Sequence, residues 1–130
     1  GWGDGPASIA EALGDEAEAG PAERDFASVY DDYPAMALNQ LADRGIAPDP
    51  KRCLHEGIDE LQLNTSGGQL SAGQAGAAGG MHGLVEVVTQ LLGRAGERQV
   101  QGARIGIVSG YGMVLYRYGA CANAVVLERA

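Results

Sequence analysis

The sequence predicts an α/β fold, one domain in which helices cover a sheet. Three observations carry this. Helical and strand periodicities alternate along the chain. A glycine-dense segment, Asn64 to Gly80, runs directly into an apolar helical stretch, Met81 to Leu92. Two runs rich in β-branched residues, Arg104 to Ser109 and Ala122 to Leu127, lie near the end. The order of α, β, α, β, glycine segment, α, β, β is one that lays helices on a sheet. At 130 residues and 45% hydrophobic side chains the chain can bury one core and not two, so residues 1–130 form a single domain.

Each element has a local reason. Asp4, Gly5 and Pro6 precede Ile9, Ala10 and Leu13, with Ser8 placed to cap, which predicts a short helix reaching Leu13. Gly14 to Arg24 is acidic and alanine-rich around Gly20-Pro21 and reads as a connector. Phe26 to Tyr30 reads as a short buried strand that Asp31 and Asp32 terminate. From Pro34, the apolar positions Ala35, Met36, Leu38, Leu41 and Ala42 predict a helix with proline in its first turn and Gly45 as its stop. Pro48 and Pro50 bound a connector, and Asp49 can cap a short helix around Arg52 to His55. Leu61-Gln-Leu63 predicts a strand delivering Asn64 into the glycine segment. Leu84, Val85, Val88, Leu91 and Leu92 share helical spacing, and Gly93 is the expected terminator. Gly110-Tyr-Gly112 predicts a turn between the last two strands, and Met113 to Gly119 either an excursion or a hairpin.

The chain opens in Gly1-Trp-Gly-Asp-Gly5, immediately before the first helix. The domain therefore starts without the leading strand of an α/β unit. This predicts either a fragment of a longer polypeptide or a subunit completed by another chain.

Charge and cysteines exclude several classes. Residues 1–60 carry fourteen acidic and four basic side chains and residues 61–130 three and five, or −10 and +2 within the net −8. Neither half has the basic footprint of a nucleic-acid binder. The acidic half is a solvated surface, or less simply the face for a basic partner. No apolar run approaches 18 residues and no basic stretch precedes an apolar one, which argues against a membrane span and a secretory signal. Cys53 and Cys121 are too few for a disulfide framework and lie in no metal spacing, so a reducing, cytoplasmic setting is expected. Cys121 falls in a strand expected to be central, with its thiol buried.

The glycine segment is the first place to look for a site. Glycine gathers where φ is positive or where backbone must come close to backbone or ligand. No Gly-Lys-Ser/Thr follows, so it is not a phosphate-binding Walker loop, and it is no Gly-x-Gly-x-x-Gly fingerprint directly after a strand. Its N–H groups and the following helix N-terminus can stabilise an oxyanion or thioester carbonyl. Asn64, Ser66, Gly67 and Gly68 are the positions expected to line such a pocket. The competing reading is that these glycines only let helix and sheet pack closely.

Three ordered motifs now carry a resemblance: Asn64-Thr-Ser-Gly-Gly-Gln-Leu-Ser-Ala-Gly73 with its Gly/Ala run and helix, Ile105-Gly-Ile-Val-Ser-Gly-Tyr-Gly-Met113, and a final strand ending Leu127-Glu-Arg129. Together they resemble the C-terminal half of a thiolase-superfamily protein. Val29-Tyr-Asp-Asp-Tyr33 narrows the likeness to the thiolase-like lipid-transfer and sterol-carrier group of acyl-CoA and steroid side-chain degradation. It stands where thiolases have Asn-Glu-Ala-Phe. The resemblance implies a thiolase-like C-terminal half with a mixed sheet.

The resemblance also implies how the site departs from the family pattern. Thiolases place their nucleophilic cysteine in the N-terminal half. Their C-terminal half supplies the Asn of Asn-Glu-Ala-Phe, the His of Gly-His-Pro and a second Cys. Those positions hold Tyr30, Gln74 and Val108 here. Gln74 can donate an amide N–H to an oxyanion but cannot transfer a proton, and Val108 can do neither. Tyr30 can hydrogen-bond an enolate oxygen or act as acid/base on a hydroxyl, which suits retro-aldol cleavage of a β-hydroxyacyl-CoA. Otherwise it is a strand-end aromatic. Gly110, Tyr111 and Gly112 form the family's active-site turn, where Tyr111 either meets ligand or packs over the turn.

His82, in the first turn of the helix after the glycine segment, can face the pocket as a base, although a helix N-terminus disfavours positive charge. His55, Cys53 and Tyr33 read as structural, and Tyr116, Arg117 and Tyr118 as a surface or subunit contact. The resemblance further implies a coenzyme A thioester as substrate, no covalently bound cofactor and no metal in this chain. Its implied partners are an N-terminal thiolase-like half, a homo-oligomer contact through the sheet, and a small OB-fold, zinc-ribbon protein. The alternative is a non-catalytic acyl-CoA or lipid-binding and assembly module.

Overall fold

A computed structural model describes residues 24–43, 46, 49–56, 62–115 and 118–130. The expected helix at Ile9 to Leu13, most of the connector after it, the question of a leading strand, and Gly45, Pro48, Leu61, Tyr116 and Arg117 lie outside the described residues.

The elements are β1 (Phe26–Val29), α1 (Pro34–Asp43), α2 (Pro50–Glu56), β2 (Gln62–Leu63), α3 (Gly68–Ala72), a 3-10 helix (Gly76–Met81), α4 (His82–Leu91), a 3-10 turn (Gly96–Arg98), β3 (Ile105–Leu115) and β4 (Tyr118–Glu128). The sheet order is β2-β1-β3-β4. β1 pairs in parallel with both β2 and β3, and β3 pairs antiparallel with β4. The predicted mixed sheet covered by helices is therefore the one observed.

All four residues of β1 are buried because helices cover both of its faces. Successive side chains of a strand point to opposite faces, and the two core clusters divide accordingly. Phe26 and Val108 pack with Val87, Leu91 and Ala103 on the α4 side, while Val29 packs with Ala37 and Leu41 of α1 on the other. Full burial of Phe26, Leu41 and Val87 stabilises the fold by about 1.5–3 kcal/mol each.

The local reasons hold at several ends. α1 starts at Pro34. Asp49 Oδ1 accepts from the Lys51 and Arg52 N–H groups at 3.0 and 3.1 Å, capping α2 as its side chain predicts. After Leu91, Gly93 adopts φ 68° and stops α4.

Two expectations are corrected, and the structure adds detail to the glycine segment and the helix faces. Gly110-Tyr-Gly112 is not a turn: these residues continue β3 and pair with Asn123, Ala122 and Cys121, and the hairpin reversal falls after Leu115, which pairs with Tyr118. Cys121 is exposed, on β4, which is the outermost rather than a central strand among the described residues. The glycine segment holds α3 and the 3-10 helix. On α4 the buried face is Glu86, Val87, Gln90 and Leu91, leaving Val85, Val88 and Leu92 exposed. On α1 it is Ala37, Gln40 and Leu41.

The polar residues on the buried face of α4 form one network. Glu86 Oε1 accepts from Thr65 Oγ1 at 2.8 Å and Gln90 Nε2 at 3.0 Å, and its Oε2 from Arg98 Nη2 at 3.1 Å. Gln90 also donates to Arg98 C=O and accepts from the Val100 N–H. Burial alone would raise the Glu86 carboxyl pKa, but the hydrogen bonds from Arg98, Thr65 and Gln90 and the Arg98 charge together hold it below the ordinary carboxylate range. The network ties the start of the glycine segment to the helix that follows it.

Candidate functional site

The chain leaves β1 for β2 on one side and later returns to β3 on the other, so the crossover direction reverses between the adjacent strands β1 and β3. Open α/β sheets place ligands at such a switch point, beyond the strands' carboxyl ends. A pocket lies there. Its walls are Ser28 to Asp31 from the end of β1, Val108 and Ser109 from β3, Gly68 and Gln69 from α3, and Gly80, His82 and Gly83 at the entrance to α4.

Glycine permits the close approach at two of these walls. A Cβ on Gly83 would lie 2.7 Å from Ser28 Oγ and 3.3 Å from Val108 Cγ1, so only glycine lets the α4 N-terminus sit this near the sheet. A Cβ on Gly68, whose φ is 65°, would collide with the Asp31 carboxylate. That carboxylate is buried, and its Oδ1 accepts the Gln69 N–H at 2.7 Å. Five residues further on, Gln74 Nε2 donates to the Tyr30 phenol oxygen. Two consecutive residues at the end of β1 thus hold the two ends of α3.

The backbone of Tyr30 is itself held from both sides. Its N–H donates to Ser109 C=O at 3.1 Å. Its C=O accepts from Gln40 Nε2 at 2.6 Å; that amide also donates to Met36 C=O at 3.1 Å, and Gln40 Oε1 accepts from Ser109 Oγ at 2.8 Å.

Of the residues expected from sequence, the structure brings Tyr30, Gly68 and His82 to the pocket wall and Gln74 onto Tyr30. Asn64 has a structural engagement: at φ 45° its side chain accepts the Val29 N–H at 2.8 Å and donates to Val29 C=O at 3.1 Å, extending the β1–β2 pairing by one rung. Gly67, at φ 92°, makes the turn into α3. Ser66 Oγ is buried without a hydrogen-bond partner among the described residues. Gly110, Tyr111 and Gly112 lie further along β3 and do not line the pocket; Tyr111 is half-buried opposite Ala122. His55 and Tyr33 are exposed.

Sequence reasoning missed Asp31, Gln69, Gln40, Ser28 and Ser109. Asp31 was legible only as a strand terminator. Gln40 carried a usable signal, because it is a polar residue one position before Leu41 on the apolar side of a helix. Among the described residues no group of His, Cys, Asp and Glu could hold a metal ion, and no helix is long and apolar enough to cross a membrane.

A mixed four-stranded sheet with this pocket, entered by a glycine-rich turn and a helix N-terminus, is consistent with a thiolase C-terminal domain. The sequence matches the thiolase C-terminal domain-like family over residues 6–128, and the chain belongs to that family. It is 32% identical over 98 residues to an acetyl-CoA acetyltransferase of Methanothermobacter thermautotrophicus, an alignment covering 71% of this chain and 26% of that protein. The chain thus corresponds to about a quarter of the length of this curated relative.

Proposed function

We propose that the chain is the C-terminal half of a thiolase-like enzyme that breaks or forms carbon–carbon bonds in acyl-CoA thioesters, together with an N-terminal half. The observation that carries this reading is the hydrogen bond from Gln74 to Tyr30, a wall residue of the switch-point pocket, at positions where the resemblance puts a thiolase's histidine and asparagine. The acyl-CoA assignment is supported by the family and by the acetyltransferase relative.

The chemistry that suits these groups is retro-aldol cleavage of a β-hydroxyacyl-CoA, or its reverse. Because the Gln74 amide donates to the phenol oxygen, the Tyr30 O–H proton remains available to the thioester oxygen. His82, on the same pocket, takes the proton of the β-hydroxyl. The Cα–Cβ bond breaks, its electron pair forms the thioester enolate held by Tyr30, a carbonyl product departs, and His82 returns the proton to Cα. No covalently bound cofactor takes part. The lipid-transfer and sterol-carrier group is the branch this arrangement fits best, and a cytoplasmic setting follows from it.

The partner half is supported by an exposed apolar stripe. Met81, Val85, Val88 and Leu92 recur at helical spacing along α4 and are 55%, 62%, 41% and 56% exposed, while the opposite face of the helix is buried against β1 and β3. A helix apolar on both sides is normally covered on both. The occupant we assign is the N-terminal half: most of the relative's length lies outside this chain, and α4 begins at the pocket with His82, so a domain seated on the stripe would also close the site. β4 is the outermost strand of the described sheet, and its outer side is where we place a homo-oligomer contact through the sheet. A small OB-fold, zinc-ribbon protein is the third partner this branch calls for.

Native mass spectrometry of the purified assembly, followed by turnover of a β-hydroxyacyl-CoA, tests the reading. A complex with a thiolase-like chain and cleavage dependent on Tyr30 are expected; a stable lone monomer indifferent to such a chain overturns it. A second reading, a non-catalytic binding and assembly module, is favoured by Val108, which puts an inert side chain on the pocket wall. It expects Tyr30→Phe to leave partner turnover unchanged.

A further inference from the structure

The structure assigns Gln40 a role in the site it does not touch: it is a positioning residue that sets the direction of the Tyr30 phenol. This rests on the reading of Tyr30 as the group that meets the thioester.

β1 ends at Val29, so Tyr30 is the first residue whose main chain has left the parallel ladder with β2 and β3. A residue there is free to swing about its backbone unless other groups hold it. Its N–H still reaches Ser109 C=O, and the Gln40 amide takes its C=O at 2.6 Å. Fixing that carbonyl fixes the peptide plane between Tyr30 and Asp31. From the two sides of this plane hang the phenol that meets Gln74 and the carboxylate that meets the Gln69 N–H.

Gln40 is built for this. It is 4% exposed and comes from the helix on the far side of the sheet from α4. Both carbonyls it faces, Tyr30 and Met36, require a donor, which sets the amide with Nε2 toward them and Oε1 toward the Ser109 hydroxyl. A buried amide is costly unless its hydrogen bonds are made, and an apolar side chain would fill the same space between Ala37 and Leu41 without that demand. What the amide adds is a specified orientation of Tyr30. Ser109 in turn holds the amide, so the direction of the phenol is set through a chain of β3, α1 and β1.

The test uses Gln40→Leu and Ser109→Ala in the full chain, with two readouts. The first is the carbon-13 signal of the Tyr30 phenol carbon in tyrosine-labelled protein, assigned with Tyr30→Phe. The second is kcat and KM of the complete enzyme assembly on a β-hydroxyacyl-CoA. Gln40→Leu is expected to move the Tyr30 signal toward that of free tyrosine and leave the Tyr111 signal in place. It should lower kcat by about 10²-fold at unchanged KM, the loss typical of a misplaced reacting group. Ser109→Ala should act in the same direction and less. A Tyr30 signal that stays put while only the melting midpoint falls overturns the inference. If Gln40→Leu does not fold, Ser109→Ala decides by the same criterion. A moved signal with kcat unchanged upholds the positioning role and removes Tyr30 from the catalytic reading instead.

Discussion

The Gln74 side-chain amide donates a hydrogen bond to the phenol oxygen of Tyr30, joining the segment just beyond α3 to the end of β1 across 44 positions of sequence. The two side chains share one hydrogen bond, so a change at either should be felt through the other. Tyr30→Phe removes the hydroxyl and keeps the ring. In the complete assembly it should lower cleavage of a β-hydroxyacyl-CoA by about 10²-fold or more, the range of general acid–base groups, with the circular dichroism spectrum unchanged.

Gly68→Ala tests the fit of the glycine segment against β1. The new methyl would require a strained backbone at φ 65° and would strike the Asp31 carboxylate. A loss of about 1–3 kcal/mol in urea unfolding is expected. Asp31→Ala, which leaves the Gln69 N–H without its acceptor, should be destabilising by a similar about 1–3 kcal/mol. Gly73→Ala has open space around its Cβ, so any loss there comes from its own backbone conformation at φ 93° and not from a clash.

Acid stability should depend on Glu86. Its folded pKa is held below the ordinary carboxylate range, so its contribution is complete above the unfolded carboxylate pKa and is lost as pH falls through the lowered folded value. Melting midpoints of the wild-type chain should therefore fall on acidification below the ordinary carboxylate pKa. Glu86→Gln should flatten that part of the curve and lower stability at neutral pH. An unaltered pH slope in Glu86→Gln would show that other carboxylates carry the acid sensitivity.

Val85→Lys with Leu92→Lys places charge on the exposed stripe of α4 and touches none of the buried network. Stability of the chain should stay within about 0.5 kcal/mol for each change, the usual range for surface positions. Assembly with the thiolase-like partner, followed by native mass spectrometry, should be lost. Retained assembly would move the partner contact away from α4.

Much of the architecture was readable because local chemistry dictates it. Pro34 at a helix start, Asp49 as a cap, Gly93 as a stop and the apolar run at Phe26 each act within a few residues of themselves. The helix faces were not readable. Of Leu84, Val85, Val88, Leu91 and Leu92, Leu84 and Leu91 pack into the core beside Val87 while Val85, Val88 and Leu92 are exposed, and composition alone does not separate them. The buried side contains a glutamate and a glutamine whose hydrogen bonds come from Thr65, Arg98 and the Val100 N–H, partners that no local rule identifies. Gly110-Tyr-Gly112 misled for a related reason: two glycines favour a turn locally, yet pairing with Asn123 to Cys121 keeps them in the strand.

The sequence by itself determined the order of elements and the glycine-rich entry to α4, and it supplied the resemblance from which Tyr30, Gln74 and Val108 are proposed for the family's reactive positions. Periodicity, capping and motif spacing are properties of neighbouring residues. Only the tertiary structure decided that Tyr30 meets Gln74, that Asp31 anchors α3 while Asn64 binds the Val29 backbone, and that Gln40 and Ser109 hold the main chain behind the phenol. Those contacts depend on which strands become neighbours, and neighbour choice is set by burial of both faces of β1 over the whole sheet.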